Sequence, residues 1–175
     1  VEVAMSEDRA YEKLAEALDG LPNGFPKTPS KSEIPLLKHI FSAEEAALAG
    51  EIGESAESVE SVAARVGMAP EDAKRSLHKM AQNGLVWVEE KPAGLGFRLA
   101  PFSVGIYEAQ LTRMDPSLAR LVDAYMEDGG AVGIMGAEPA VHRVIPAEAA
   151  VKPEWILPYD DVRALLEGAK SFRVR

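Results

Sequence analysis

The sequence predicts an α+β fold that is mainly helical. Along most of residues 1–128, apolar residues recur at intervals of three or four, which is the spacing of amphipathic helices. Between residues 85 and 99, β-branched and aromatic residues instead form two strand-like runs around Lys91-Pro-Ala-Gly94, a sequence typical of a turn. From Gly129 onward, glycines and prolines interrupt the pattern, so we expect a small irregular α+β tail over residues 129–175.

The first predicted region, residues 1–29, is a helix followed by a proline-rich connector. Ser6 is the expected N-cap of an amphipathic helix over residues 7–19. The next segment, residues 21–30, holds three prolines, and we expect it to cross the surface as an extended connector anchored by Phe25.

The second predicted region, residues 30–102, begins with two capping boxes. In each box a serine precedes a glutamate by three positions, so that the two side chains can satisfy each other's backbone N–H groups. The pairs are Ser30 with Glu33 and Ser42 with Glu45. They predict the starts of the first helices of this region.

Two further helices and the pair of strands complete this region. Ser58 is expected to cap a short helix that stops at Gly67, where a left-handed residue would end it. Pro70 suits the first turn of a second helix, which Asn83-Gly84 closes. A helix, a tight turn, a second helix and a two-stranded wing form a winged helix-turn-helix, which we therefore predict as the core of the fold.

This segment resembles the winged-helix repeat of many bacterial and archaeal transcription regulators. The resemblance covers roughly a quarter of the chain and is carried by Ala63 or Ala64, Gly67, Ala73, Leu77, Met80 and Gly84-Leu85-Val86. It implies a module that either reads a DNA groove or serves as a protein docking platform, because fold and function separate easily in this superfold.

The third predicted region, residues 103–128, is a pair of helices. The first is expected over residues 104–114, and Asp115-Pro116 supplies the cap and first residue of a second that runs to about Glu127. Both helices have apolar faces to bury. Two surfaces are possible partners for these faces: a second subunit in a homodimer, or the amino-terminal helix of the same chain.

The fourth predicted region is the tail, residues 129–175. It contains short strand-like pieces at residues 141–145, 155–157 and 172–174 and one helix at residues 160–168. Its glycine run, residues 129–136, has no Gly-Lys-Ser/Thr ending and no dinucleotide-binding spacing, and it meets Pro139 rather than opening a helix. Nucleotide binding is therefore not predicted.

The net charge of the chain argues against binding to nucleic acid, whereas the basic residues of one helix argue for it. The net charge is −9 and the pI about 4.9, although DNA-binding proteins usually carry a basic face. The candidate DNA-binding residues are Lys74, Arg75, His78 and Lys79 on the second helix and Lys91 and Arg98 in the wing. Glu89 and Glu90 would bring negative charge close to phosphate. A solvated helix face and a groove-reading helix are both open interpretations.

No enzyme chemistry is predicted. The absence of cysteine excludes disulfides, thiolate nucleophiles and cysteine-bound metals within this chain. His39, His78 and His142 lie far apart without a ligand at metal-binding spacing, and no nucleophile, base and orienting acid assemble. We expect no catalytic residue and no metal site. Without a long apolar run or a secretory signal, we expect a cytoplasmic protein with no membrane contact.

A second resemblance involves the tail. The segments that carry it are Arg143-Val-Ile-Pro146, residues 156–162 and residues 165–175, together with the connector at residues 25–35 and Ile106-Tyr107-Glu108. They are similar to the region that precedes the cluster cysteines in microbial ferredoxin-type proteins, which join an amino-terminal winged-helix region to a 4Fe-4S domain. The resemblance implies either a chain cut ahead of its cluster domain or a natural relative without that domain. It places no cofactor in this chain, and a 4Fe-4S cluster is expected only if a cysteine-rich carboxyl-terminal domain follows.

Two functions are therefore predicted as alternatives. In the first, the chain is the non-catalytic interaction region of an iron–sulfur electron-transfer protein, serving dimerisation or docking to a redox partner. In the second, it is a DNA-binding transcriptional regulator of winged-helix type. A redox-sensing regulator would combine the two.

Overall fold

The computed structural model describes residues 2–92, 94–136 and 167–168. The chain divides into two units, residues 1–141 and residues 142–175. The first unit is α+β and mainly helical, as predicted, with one small antiparallel sheet in the strand order β1-β3-β2. In chain order its elements are α1 (Glu2–Asp19), α2 (Glu33–Ile40), α3 (Ala43–Ala49), β1 (Glu57–Ser58), α4 (Val59–Val66), α5 (Pro70–Gln82), β2 (Val86–Lys91), β3 (Gly94–Leu99), α6 (Tyr107–Gln110), α7 (Pro116–Tyr125) and α8 (Ala131–Met135).

Helix α1 begins earlier than predicted. It starts at Glu2, so the prediction that Ser6 caps it is wrong. Alanine, methionine and glutamate favour helix, and serine is tolerated inside one. The helix can therefore begin before Ser6 without a capping side chain at that position. Leu14 and Leu18 on its inner face are fully buried, and α1 packs on α2 and α3.

The connector after α1 enters the core instead of crossing the surface. Phe25 anchors it, as predicted, and is fully buried. Its ring centroid lies 4.5 Å from that of Phe102 and 4.7 Å from that of Tyr125. The Tyr125 hydroxyl also donates a hydrogen bond to the carbonyl of Pro26 at 3.2 Å, and burial raises the pKa of this phenol. The connector therefore ties α1 to α7.

The prediction of two capping boxes is half right. At α3 the box is present, because the Glu45 N–H donates to Ser42 Oγ (3.2 Å) and the Ser42 N–H donates to Glu45 Oε2 (3.0 Å). At α2 it is wrong, since the residue that precedes the helix is Ser32 and no side chain caps it. Ser30 and Glu33, the two partners of the predicted box, form hydrogen bonds with other residues instead.

Those other residues are Asp128 and Thr28. The Ser30 hydroxyl donates to Asp128 Oδ2 at 2.6 Å. The buried Glu33 carboxylate accepts from both the backbone N–H (3.1 Å) and the hydroxyl (2.7 Å) of Thr28. These contacts bind the end of the connector to the start of α2 and to the chain after α7.

The predicted helix, turn and second helix are confirmed as elements. Ser58 Oγ accepts a hydrogen bond from the Ser61 N–H at 3.2 Å and caps α4. Gly67 ends α4 with φ +65°, the left-handed conformation that glycine adopts without strain. Pro70 opens α5, where its missing N–H leaves no bond unmade.

The predicted strand pair is confirmed, and a third strand joins it. β2 and β3 pair antiparallel, with Val88 opposite Phe97 and Trp87 opposite Arg98. The last two residues of the acidic, serine-rich segment 51–58 form β1, in which Glu57 pairs with Phe97. The other edge of β3 is therefore covered.

The first helix predicted after the hairpin is shorter than expected. Ser103 is extended (ψ 137°) and Val104 is left-handed (φ +61°), so residues 104–106 do not start a regular helix. α6 begins at Tyr107 and tightens into a 3₁₀ turn over Leu111–Arg113.

The second predicted helix of this pair is confirmed as α7. The carboxylate of Asp115 caps it by accepting from the backbone N–H groups of Ser117 and Leu118, at 2.7 and 2.9 Å. α7 packs on α2 and buries Leu118, Val122 and Tyr125 within the chain.

The glycine run after α7 is partly helical and not irregular as predicted. Gly129 (φ +116°) turns the chain, and α8 then places Ile134 in the core. A Cβ at Gly130 would lie 2.6 Å from the Tyr125 ring, so glycine is needed for this close approach.

The predicted strands at residues 141–145, 155–157 and 172–174 lie outside the described residues. The same holds for the predicted helix at residues 160–168, apart from its last two residues, which are helical. In the part of the chain that is described, no helix has the length and apolar character to cross a membrane.

Candidate functional site

The outer face of α5 carries four of the six residues predicted to bind DNA. Ala73, Leu77 and Met80 on the inner face are fully buried. Because side chains three or four positions apart share a face, the side chains between these positions point outward. Lys74, Arg75, His78 and Lys79 are accordingly exposed.

Lys79 is bound to the capping box of α3. Its Nζ lies 2.9 Å from Oε1 of Glu45, whose side chain is only 11% exposed. Burial opposes ionisation of Glu45, but the Ser42 N–H and the Lys79 ammonium outweigh it and lower the pKa of this carboxyl. The same contact raises the pKa of Lys79. This cation therefore serves the fold.

The other α5 side chains are engaged more loosely. Arg75 Nη1 lies 3.1 Å from Oδ1 of Asp72 on the same helix. His78 Nδ1 lies 2.8 Å from the carbonyl of Lys74, and its ring packs against Phe97 of β3 with 5.4 Å between centroids. On the outer face of α5, Arg75 and Lys79 thus have carboxylate partners, whereas Lys74 has no ion-pair partner among the described residues.

The two predicted cations of the hairpin lie apart from those of α5. Side chains alternate along a strand, so Trp87, Lys91 and Arg98 project from the sheet face opposite to that of Phe97. Lys91 donates to the carbonyl of Ala56. The structure does not bring the six predicted residues into one positive surface.

Arg98 has two partners within the hairpin. Its Nε donates to Glu89 Oε1 at 2.5 Å. Its guanidinium carbon lies 4.3 Å from the centroid of the Trp87 ring, a stacked cation–π arrangement. Glu89 thus neutralises the cation beside it.

A groove lies between α5, the start of α4 and strand β3. It has a volume of about 320 Å³. Apolar side chains and charges of both signs share its walls: Val59, Leu95, Phe97, Glu60, Glu71, Lys74 and His78. We call it the α5–hairpin groove.

The tip of the hairpin adds apolar surface beside this groove. Val88 and Leu95 are 43% and 44% exposed. Val88 lies opposite Phe97, and Leu95 is two residues before Phe97 on the same strand, so both side chains lie on the groove side of the sheet. The alternation of side chains along each strand could have identified this pair from the sequence, because Val88 and Leu95 are apolar and occupy positions on the same face as Phe97.

The charge of the whole region is negative. Residues 30–102 contain eight Lys and Arg against eleven Asp and Glu. Glu90 is exposed and lies opposite Leu95, which adds a negative charge at the hairpin tip. Phosphate binding relies on unpaired cations that displace counterions, and this surface offers few of them.

No group of three histidine, aspartate or glutamate side chains that could hold a metal ion occurs among the described residues. His39 and Asp115 form a single pair with 3.5 Å between Nε2 and Oδ2. His142 lies outside the described residues, as do Trp155 and Tyr159, which the sequence suggests as packing anchors.

No family model matches this chain, and neither a curated protein nor a solved structure matches it. Function is therefore inferred from the side chains themselves.

Proposed function

We propose that residues 30–102 form a winged helix-turn-helix that docks a protein partner through the α5–hairpin groove. Helices α4 and α5 with the turn at Gly67 would be the helix-turn-helix, and the β2–β3 hairpin would be the wing. The order of these elements and the third strand β1 beside the hairpin support this proposal.

The observation that carries the docking function is the combination of neutralised cations with exposed apolar side chains. Lys79 and Arg98 are occupied by Glu45 and Glu89. On the groove side of the sheet, Val88 and Leu95 expose apolar surface next to a groove with both signs of charge. Protein interfaces combine an apolar centre with a mixed polar rim, whereas DNA interfaces are strongly positive.

A photo-crosslinking experiment tests this function. A photoreactive phenylalanine analogue at Leu95, introduced in cells, should trap one specific protein that mass spectrometry identifies. The same analogue at Leu111, which is 50% exposed on a different element, is the matched control and should not trap it.

Purified components then give the decisive comparison. Leu95→Glu should weaken binding of the trapped protein at least about tenfold, because an interface anchor is replaced by a charge that must be desolvated. Leu111→Glu should leave the affinity unchanged. Equal affinities of the two variants would contradict docking through the groove.

We further propose that the docked partner is a redox protein and that this chain is the interaction region of a ferredoxin-type 4Fe-4S protein. The support is the resemblance of the connector, Ile106-Tyr107-Glu108 and the tail to that family. The chain itself has no cysteine, so cluster chemistry would belong to another part of the protein. Sequencing of the gene past Arg175 tests this: a cysteine-rich segment is expected, and an in-frame stop would remove the proposal.

Binding to duplex DNA as a transcriptional regulator is the second candidate function. It is favoured by Lys74, Arg75 and His78, which are exposed side by side on α5. It predicts an affinity that falls steeply with salt and a further loss in Arg75→Ala.

A further inference from the structure

A second cavity lies on the hairpin face opposite to the α5–hairpin groove. It has a volume of about 200 Å³ and is lined by the start of the connector, the back of the hairpin and the turn after β3. Its walls are mostly apolar, with contributions from Leu21, Pro22, Trp87, Leu99, Pro101 and Val104. Small-molecule sites combine such walls with a few convergent polar groups.

Arg98 supplies the first of these polar groups. Stacking on Trp87 and the bond from Nε to Glu89 hold its guanidinium in one plane. No described residue accepts a hydrogen bond from its two Nη groups. A planar guanidinium with free Nη donors is suited to a carboxylate, which can accept two parallel hydrogen bonds from it.

Glu54 supplies a second group of opposite charge. This residue lines the same cavity, is exposed and forms no ion pair with any described residue. The Leu99 N–H donates to the carbonyl of Gly53 at 3.1 Å, which fixes residue 54 beside Arg98 and Leu99. The residues of the cavity thus include a glutamate without an ion-pair partner and an arginine whose Nη groups donate to no described residue.

Val104 provides an apolar side chain at the same cavity, in a strained conformation. A β-branched residue at φ +61° and ψ 41° is a genuine outlier. Hydrogen bonds on either side maintain it: Asn23 Nδ2 donates to the Ser103 carbonyl at 2.5 Å, and the Gly105 N–H donates to Glu108 Oε2 at 2.6 Å. Such strain persists where the surroundings impose it, and here it keeps Val104, which is 57% exposed, at the cavity.

We propose that this cavity binds a free α-amino acid with an aliphatic side chain. The ligand carboxylate would bind the Nη groups of Arg98, the ammonium would bind Glu54, and the aliphatic chain would lie between Trp87 and Val104. A zwitterion matches both charges, whereas a plain carboxylic acid would face the negative charges of Glu54 and Glu89. A plain amine would face Arg98 without a compensating carboxylate.

Fluorescence of Trp87 gives a direct test. The chain has two tryptophans, so Trp155→Phe leaves Trp87 as the sole reporter. Leucine should change the emission saturably, with a midpoint in the millimolar range that is usual for so small a ligand. Two analogues serve as matched probes: 4-methylpentanoate lacks the amine and 3-methylbutylamine lacks the carboxylate. Each should bind at least about tenfold more weakly than leucine, because one charged hydrogen-bonding group is missing.

Three variants assign the interaction to the cavity. Arg98→Gln should weaken leucine binding about tenfold or more. Glu54→Gln, at an exposed position, should weaken leucine but not 4-methylpentanoate. Arg75→Gln, a control that removes one arginine from the opposite side of the hairpin, should leave binding unchanged.

Circular dichroism of each variant establishes that it is folded. Absence of a saturable response to leucine would overturn the proposal, as would equal affinity for leucine and both analogues. An unchanged affinity in both Arg98→Gln and Glu54→Gln would also overturn it. None of these results bears on docking through the α5–hairpin groove, whose test uses Leu95.

Discussion

Replacing Lys79 by glutamine should destabilise the protein although this lysine is on the surface. Its Nζ is 2.9 Å from Oε1 of Glu45, and the two side chains are 66% and 11% exposed. The other oxygen of Glu45 already accepts from the Ser42 N–H. Oε1 accepts no hydrogen bond from the described residues, so removing the ammonium leaves a buried carboxylate oxygen without the cation that balances its charge.

The size of the effect follows from these exposures. Breaking a buried ion pair costs about 3–5 kcal/mol, and breaking an exposed one costs up to about 1 kcal/mol. Because Lys79 is mostly in water, we take a value close to that of the exposed pair and expect a loss of about 1–1.5 kcal/mol in the free energy of unfolding. For a protein of this size, that loss lowers the melting temperature by about 2–6 °C.

Arg75→Gln is the matched control. It also removes one positive charge from α5, but Arg75 and Asp72 are 77% and 55% exposed, so the pair is screened by solvent. The expected change is below about 0.5 kcal/mol. The two variants therefore have the same net charge and different predicted stabilities.

The pH dependence gives a second criterion. The pKa of Glu45 is lowered in the folded protein, from an ordinary value of 4.5. Its contribution to stability is therefore present above about pH 4.5 and is lost as the pH falls through the folded pKa. Urea unfolding followed by circular dichroism should show the Lys79→Gln loss at pH 7 and a smaller one at pH 3. Equal losses for the two variants at pH 7, or a Lys79→Gln loss that persists unchanged at pH 3, would refute the reasoning.

Two further predictions concern the connector and its attachment to the chain after α7. Phe25→Ala should cost about 3–5 kcal/mol in urea unfolding, because it removes a fully buried ring that packs on Phe102 and Tyr125. A loss below about 1 kcal/mol would show that the connector lies outside the core. Hydrogen bonds from Ser30 and Thr28 lower the pKa of Asp128 from 3.8 to about 2. The stability from Asp128 is therefore present above about pH 4 and is lost between about pH 4 and pH 2. Asp128→Asn should flatten acid unfolding in that window, and an identical acid transition would contradict this.

The sequence predicts well those elements whose signals are local. Three such signals each act within a few residues of the helix boundary that they define. They are the cap at Ser58, the left-handed Gly67 and the proline that opens α5. The same holds for Asp115 at the start of α7. Local hydrogen bonding and backbone preference suffice to predict these boundaries.

Contacts between distant residues could not be predicted from spacing. Ser30 has the pattern of a capping box, but Asp128, 98 positions later, is its acceptor. The backbone beside the left-handed Val104 is likewise bound by Asn23, which lies 80 positions before its acceptor Ser103. Neither competing contact leaves a local trace in the sequence.

The candidate site shows the same limit. The spacing of Lys74, Arg75, His78 and Lys79 predicts correctly that they are on the outer face of α5. It does not reveal that Lys79 is held by Glu45, 34 positions earlier, or that Arg98 lies on the other face of the hairpin. Electrostatic function depends on which charges remain unpaired after folding, and that depends on tertiary contacts.

Binding to duplex DNA at low salt tests most directly the claim that the α5–hairpin surface docks protein and not phosphate. Fluorescence anisotropy of a labelled mixed-sequence duplex would be measured against increasing protein at about 20 mM salt, where phosphate contacts are strongest. We predict no saturable binding at protein concentrations up to about 100 μM. Saturable binding that weakens steeply with added salt and is reduced in Arg75→Ala would contradict the claim.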